Sequence, residues 1–188
     1  DIVFVGTNAS VDLTISNNTA YMSSYYAYQS DLSFTNLVAE NNISFKTMDF
    51  NYSNIDINGG KITDNVGAGI SVYGADNANI NNVTISNNIG NSIYGGIKLN
   101  ASCMINNSII WGNSGYQIIL ENTLSDINSL NLKYSDIEYG ESGVFINGDG
   151  SEIVWGEGNI DGDPQFTDPD NGDLTLQPSS PCIDSGDP

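Results

Sequence analysis

One apolar motif returns along this chain every 23–27 residues, and that interval limits the fold more than any figure of composition. It stands in Leu13-Thr-Ile-Ser-Asn-Asn18, Leu37-Val-Ala-Glu-Asn-Asn42, Ile62-Thr-Asp-Asn65, Val83-Thr-Ile-Ser-Asn-Asn88 and Ile109-Ile-Trp-Gly-Asn113. The central apolar residues are Ile15, Ala39, Ile62, Ile85 and Ile110, at spacings of 24, 23, 23 and 25. Ile137 follows after 27 residues and Ile160 after another 23. Three residues beyond the first five stand Asn18, Asn42, Asn65, Asn88 and Asn113. A second row, Ile70, Ile97, Ile118 and Val144, is spaced by 27, 21 and 26. A fixed period of this size marks stacked supersecondary units, each burying its apolar face on the next.

The period contains no helix. Ala is scarce, while Asn, Ser, Thr, Gly and β-branched residues dominate, a composition that favours strands and turns over helix. Short apolar alternations are broken by Asn-Asn, Asn-Gly, Gly-Gly and Asp-Gly turn signals. The reading is all-β. An interval of 21–27 residues is too short for a propeller blade. It suits one coil of a single-stranded, right-handed parallel β-helix, with about three short strands per coil and coils about 4.8 Å apart. About six or seven coils of about 24 residues fill the length. A leucine-rich repeat is the rival, but it needs a denser Leu framework. Val83 and Ile85 are expected to point into the coil, and Thr84 and Ser86 out of it. The recurring asparagines are expected at a turn, stacked so that their carboxamides bond along the axis and satisfy backbone groups the turn leaves unpaired.

The pattern Asn82-Val-Thr-Ile-Ser-Asn-Asn88 followed by Tyr94-Gly-Gly-Ile-Lys-Leu99 resembles the right-handed parallel β-helix repeats of prokaryotic surface and secreted proteins. These include pectate-lyase-like and adhesin-like proteins. The resemblance covers roughly residues 12–147. The end, from Gly158 to Gly186, is similar to the closing segment of such surface proteins. The resemblance implies the fold; the scaffold itself carries lyases, hydrolases, tailspikes and non-catalytic adhesins alike.

Charge narrows the chemistry. The 188 residues hold 23 acids against four bases, Lys46, Lys61, Lys98 and Lys133, for a net charge of −19. There is no His and no Arg. Nucleic acid is excluded as a partner, because too few cations are present to displace phosphate counterions. An anionic membrane surface would repel the chain, and no run of 18 apolar residues points to membrane insertion. Catalysts built on a histidine base, a histidine metal ligand or an arginine clamp are excluded too. High Asn with high net charge is also a signature of disorder; the 23 regularly placed Ile beside the 27 Asn argue against it.

Several residues qualify for chemistry. Lys98, expected to project outward between Ile97 and Leu99, is the one candidate base in the manner of a pectate lyase. A surface lysine is a poor base at neutral pH. Asp136 and Glu138 flank Ile137 and form a candidate carboxylate pair for glycoside cleavage. Asp161, Asp163, Asp168, Asp170 and Asp173 crowd 13 residues with Gly turns between them, a way to direct oxygen ligands at calcium. Asp-Pro and Asn-Gly turn chemistry explains the same residues without a metal. Tyr21, Tyr25, Tyr26 and Tyr28 offer sugar-stacking surface, or a loop packed on the coil. Seven Asn-X-Ser/Thr sequons occur, at Asn8, Asn17, Asn42, Asn51, Asn82, Asn100 and Asn106; most are accidents of an Asn-rich repeat. Cys103 and Cys182 are either two small apolar residues or a bridge in an oxidising exterior.

Residues 1–147 read as coils and 148–188 as a closing segment or linker. Ile119 and Phe145 are expected to face outward and be covered by residues 160–185 folding back over them. The chain opens within a strand, Ile2-Val-Phe-Val5, which reads as a mature or excised part of a larger surface protein. The expected function is a non-catalytic extracellular or cell-surface module for adhesion, carbohydrate binding or structural display. Its expected partners are a polysaccharide or cell-surface glycan, neighbouring domains or identical subunits. The alternatives are a polysaccharide lyase or glycoside hydrolase, and a subunit of an end-to-end filament.

Overall fold

A computed structural model describes residues 2–6, 8–90, 93–122 and 127–187. It shows a right-handed parallel β-solenoid of about six turns. A seven-stranded sheet stacks Ile2–Val5, Ser23–Tyr28, Ile43–Asn51, Val66–Tyr73, Tyr94–Asn100, Tyr116–Glu121 and Val144–Asn147. A ten-stranded sheet forms the other two sides of each coil. Its long strands Asp31–Glu40, Asn54–Thr63 and Ala78–Ser86 run across a corner. In later coils the same path splits into Cys103–Asn106 with Ile109–Trp111, and Ser129–Lys133 with Asp136–Ile137. The parallel pairing continues through Glu152–Trp155.

Three columns of left-handed residues turn the chain at the three corners. One holds Asn36, Gly59, Asn82, Asn107 and Tyr134; the second Asn17, Asn41, Asp64, Asn87 and Gly112; the third Gly6, Gln29, Tyr52 and Gly74. Asn, Asp and Gly tolerate positive φ better than other residues, so much of the asparagine content serves corners. Gly60 is the tightest case. Its φ is +118°, and a Cβ there would lie 1.9 Å from the Leu37 carbonyl oxygen of the preceding coil.

Stacking puts like on like inside. Ile15, Ala39, Ile62, Ile85, Ile110 and Ile137 are register partners on successive coils. So are Tyr25, Met48, Ile70, Ile97, Ile118 and Val144. Tyr25, Phe34 and Phe50 pack ring against ring at 5.7–5.9 Å. Cys103 lies in the column Ile55, Ala78, Cys103, Leu130. Burial pushes its thiol up to about 12, as an inert core cysteine should be. Both cysteines are free thiols.

The periodicity slips at its last step. Ile160 pairs with Asp136 rather than with Ile137. Its side chain is only half-buried, because the coil it would complete has given way to the closing segment.

Candidate functional site

The five spaced asparagines form one continuous hydrogen-bond chain. Asn18 Nδ2 donates to Asn42 Oδ1 at 3.0 Å, Asn42 to Asn65 at 2.9 Å, Asn65 to Asn88 at 2.8 Å and Asn88 to Asn113 at 2.9 Å. Each Oδ1 also accepts the backbone N–H of the preceding ladder residue, at 2.9–3.3 Å. The second Nδ2 proton of Asn42, Asn65, Asn88 and Asn113 goes back to the carbonyl of Ile15, Ala39, Ile62 and Ile85 respectively. A buried carboxamide in the middle coils thus uses two donors and two acceptor sites, its full inventory. In the pairs Asn17-Asn18, Asn41-Asn42 and Asn87-Asn88 the first residue turns the corner and the second enters the ladder.

The chain of amides ends on an acid. Asn113 Nδ2 donates to Gln117 Oε1 at 2.8 Å, and Gln117 Nε2 donates to Glu138 Oε2 at 2.7 Å. The same Glu138 oxygen accepts Gly112 N–H at 2.9 Å. Glu138, which the sequence offers as half of a candidate carboxylate pair or as a solvent-face residue, is the ladder's terminal acceptor. Spacing aligns Gln117 with Gly69, Gly96 and Gly143, one residue before the second apolar row, and so gives no sign that its side chain joins the ladder.

Its expected companion is also occupied. Asp136 is 3% exposed. Its Oδ1 accepts Gly162 N–H at 3.1 Å and its Oδ2 accepts the Cys182 thiol at 3.0 Å. Burial, chiefly, raises the Asp136 carboxyl above its ordinary range, with Asp161 and Asp163 adding to it and the two hydrogen bonds opposing. Burial and the neighbouring Asp136 push the Cys182 thiol up to about 12. These contacts, with Asp187 N–H on Asn107 Oδ1 at 2.8 Å, bind the closing segment to the long sheet. That corrects the expected fold-back over Ile119 and Phe145, which belong to the other sheet. Phe145 stacks instead on Tyr116, at 4.9 Å between ring centres and 19° between planes, and Ile119 is buried in the row between Lys98 and Phe145.

Lys98 points outward. Its ammonium lies 3.1 Å from Glu121 Oε2 and 5.0 Å from the centre of the Tyr94 ring. The other lysines are paired as well: Lys46 with Asp49 at 2.9 Å, Lys61 with Glu40 at 2.7 Å, and Lys133 with Glu157 at 3.7 Å. Asp49, 4% exposed, also accepts Asn51 Nδ2 and Ser23 Oγ.

The acidic turns hold themselves. Asp161 Oδ1 accepts Tyr139 N–H, Asp163 Oδ1 accepts Gln165 N–H, Asp168 Oδ2 accepts Asn171 Nδ2, and Asp173 Oδ1 accepts Thr175 N–H and Oγ1–H. Asp170 lies exposed in the short 3-10 turn Pro169–Asn171. Among the described residues, no three His, Cys, Asp or Glu side chains converge closely enough to hold a metal ion. Of the tyrosines, Tyr25 is fully buried in the aromatic core and is not a surface residue; Tyr21 is 93% exposed; Tyr26 and Tyr28 are half-buried on the outer face. The segment is a strand, Ser23–Tyr28, rather than a loop. Tyr28 packs edge-on against Tyr52, and Tyr52 against Tyr73, at 5.8 and 5.5 Å.

A shallow cleft of about 440 Å³ lies on the outer face of the long sheet in its N-terminal half. Ser10, Ser33, Asp56 and Asn79 line it as one register-locked row across four coils. Asp31 and Asn54 form its side, joined by a 2.8 Å hydrogen bond. Sequence reasoning missed this row, because its residues are outward positions with no chemistry of their own until stacking aligns them. Comparison with protein-family models, curated proteins and solved structures finds no match to the chain.

Proposed function

We propose that this chain is a non-catalytic, adhesin-like extracellular module whose outer face binds a neutral carbohydrate. The observation that carries the reading is the cleft row Ser10, Ser33, Asp56 and Asn79. It offers hydroxyl, carboxylate and carboxamide groups at a strand spacing of about 4.8 Å, the partners that sugar hydroxyls need. A net charge of −19 repels polyuronates and so favours a neutral ligand. The lyase or hydrolase alternative loses support from the pairing of Lys98 with Glu121 and from the structural roles of Asp136 and Glu138.

A glycan array, run with and without calcium, tests the reading. Binding to a neutral glycan is expected, falling at least about 5-fold in Asp56→Ala and Asn79→Ala, each removing about 1–3 kcal/mol of hydrogen bonding. Release of product from pectin, alginate or a neutral glycan, abolished by Lys98→Ala, overturns it.

A further inference from the structure

The cleft of the long sheet does not stop at the row Ser10, Ser33, Asp56 and Asn79. One side of the coils presents three outward rows along the axis. The first holds Asp31 and Asn54; the second Ser33, Asp56, Asn79, Met104 and Asn131; the third Thr35, Asn58, Asn81, Asn106 and Lys133. Every one of these positions except Met104 carries a polar group. Among the described residues, the side chains of Ser33, Asp56 and Asn79 hydrogen-bond to nothing in the chain. Asn81 Oδ1 accepts Asn106 Nδ2 at 3.1 Å, and Asn58 Oδ1 accepts Asn82 Nδ2 at 2.9 Å. One bond each leaves these carboxamides with donors and acceptors to spare.

A second cleft, of about 540 Å³, continues the first. Asn58, Asn81 and Asn106 of the third row line it, with Met104 of the second row and Tyr134. The two clefts meet where Asn79, lining the first, is the register partner of Met104, lining the second. Strand Ala78–Ser86 thus gives Asn79 to one cleft and Asn81 to the other. Together they cross the face obliquely, from Asp31 in one coil to Lys133 four coils on. Four steps of about 4.8 Å make about 19 Å along the axis, more than one or two sugar rings cover. Met104, 47% exposed at the junction, is an apolar and adaptable spot among amides on which the C–H face of a sugar can pack. Asp31, Asp56, Glu157 and Asp187 border the track and repel a polyuronate.

We propose that this face binds a linear neutral polysaccharide as an extended segment laid through both clefts, and not a terminal mono- or disaccharide. The proposal rests on the carbohydrate reading of the first cleft and extends it to the second. Hydroxyls of successive sugars meet successive carboxamides of the rows. Once the first sugars are seated, the rest bind at high effective concentration, so affinity grows with chain length until both clefts are filled.

Calorimetric titration of the whole chain with size ladders of neutral linear glucan, mannan, xylan and galactan, from dimer to octamer, tests it. The expected result is a series whose hexamer binds at least about 10-fold more tightly than its dimer. Asn106→Ala, in the second cleft, should lower that hexamer-to-dimer ratio about 5-fold. Met104→Ser, at an exposed position of the same cleft, should lower it too. Asp56→Ala, in the first cleft, should weaken dimer and hexamer alike. Binding that does not grow with length, or growth that both second-cleft variants leave intact, overturns the proposal and leaves the carbohydrate reading standing. Binding by none of the series, or binding indifferent to Asp56→Ala, overturns both.

Discussion

The coils and the closing segment are joined by opposite kinds of group. Within the coils the partners are neutral carboxamides, each donating toward the C-terminus and accepting from the N-terminus. Toward the closing segment carboxylates enter: Glu138 under Gln117 in the last coils, then Asp161 under Tyr139 and Asp136 under Gly162 and Cys182, beside the amide contacts of Asn107 and Asn159. A carboxamide passes a hydrogen bond on, so a stack of them continues. An ionised carboxylate only accepts, so it ends the stack. The ladder therefore runs one way, from Asn18 through Gln117, and stops where its last amide meets Glu138.

The largest expected effect breaks the middle of that ladder. Asn88→Ala strips partners from Asn65 N–H, Asn65 Nδ2 and Ile62 O, all deep in the coil. At about 1–3 kcal/mol for each buried group left unpaired, the loss should exceed about 3 kcal/mol. Asn18→Ala, at the exposed end, should cost less than about 1 kcal/mol, since Asn18 N–H keeps Asn42 Oδ1. Urea unfolding of the two variants measures the contrast. Equal losses would mean that the asparagines act one by one and not as a chain.

The fold was largely legible in the sequence because stacking demands repetition. Ile15, Ala39, Ile62, Ile85 and Ile110 share one column and therefore one spacing. What escaped is a change of role at a periodic position. Gln117 and Glu138 end the ladder from positions that hold Gly96 and Trp111 one coil earlier. Asp136 looked solvent-facing because it flanks an inward Ile137, but the closing segment covers it from a distance in sequence of 46 residues. Tyr25 stands in a run of tyrosines, Tyr21 to Tyr28. The alternation Tyr25, Ala27 inward and Tyr26, Tyr28 outward was present there, and a composition-based reading passes over it.

The second prediction concerns the ladder's end. Glu138→Ala leaves Gln117 Nε2 and Gly112 N–H without their acceptor. A loss of about 1.5–3 kcal/mol is expected, the range for hydrogen bonds to a charged group. Glu138→Gln retains one acceptor oxygen and should recover most of it. If glutamine is as damaging as alanine, the charge and not the hydrogen bond closes the stack.

The smallest effect is a pH dependence at Asp136. Burial raises its folded-state pKa above the ordinary 3.8, so the folded chain holds this proton more tightly than the unfolded one. The stability it contributes is complete below 3.8 and is lost as pH rises through the folded value. At neutral pH the buried charge is a cost. Asp136→Asn keeps an oxygen for Gly162 N–H and turns an amide toward the Cys182 sulfur, without a charge in either state. The variant should therefore melt slightly higher than the parent at pH 7. The gap should narrow toward zero as pH falls below the ordinary carboxyl range. Thermal melts of both proteins from pH 3 to pH 8 cancel the titration of the other acids in the difference between the curves. A difference constant across that range would show that Asp136 is held by its two hydrogen bonds alone, and that carboxylates close this end of the solenoid without a desolvation cost.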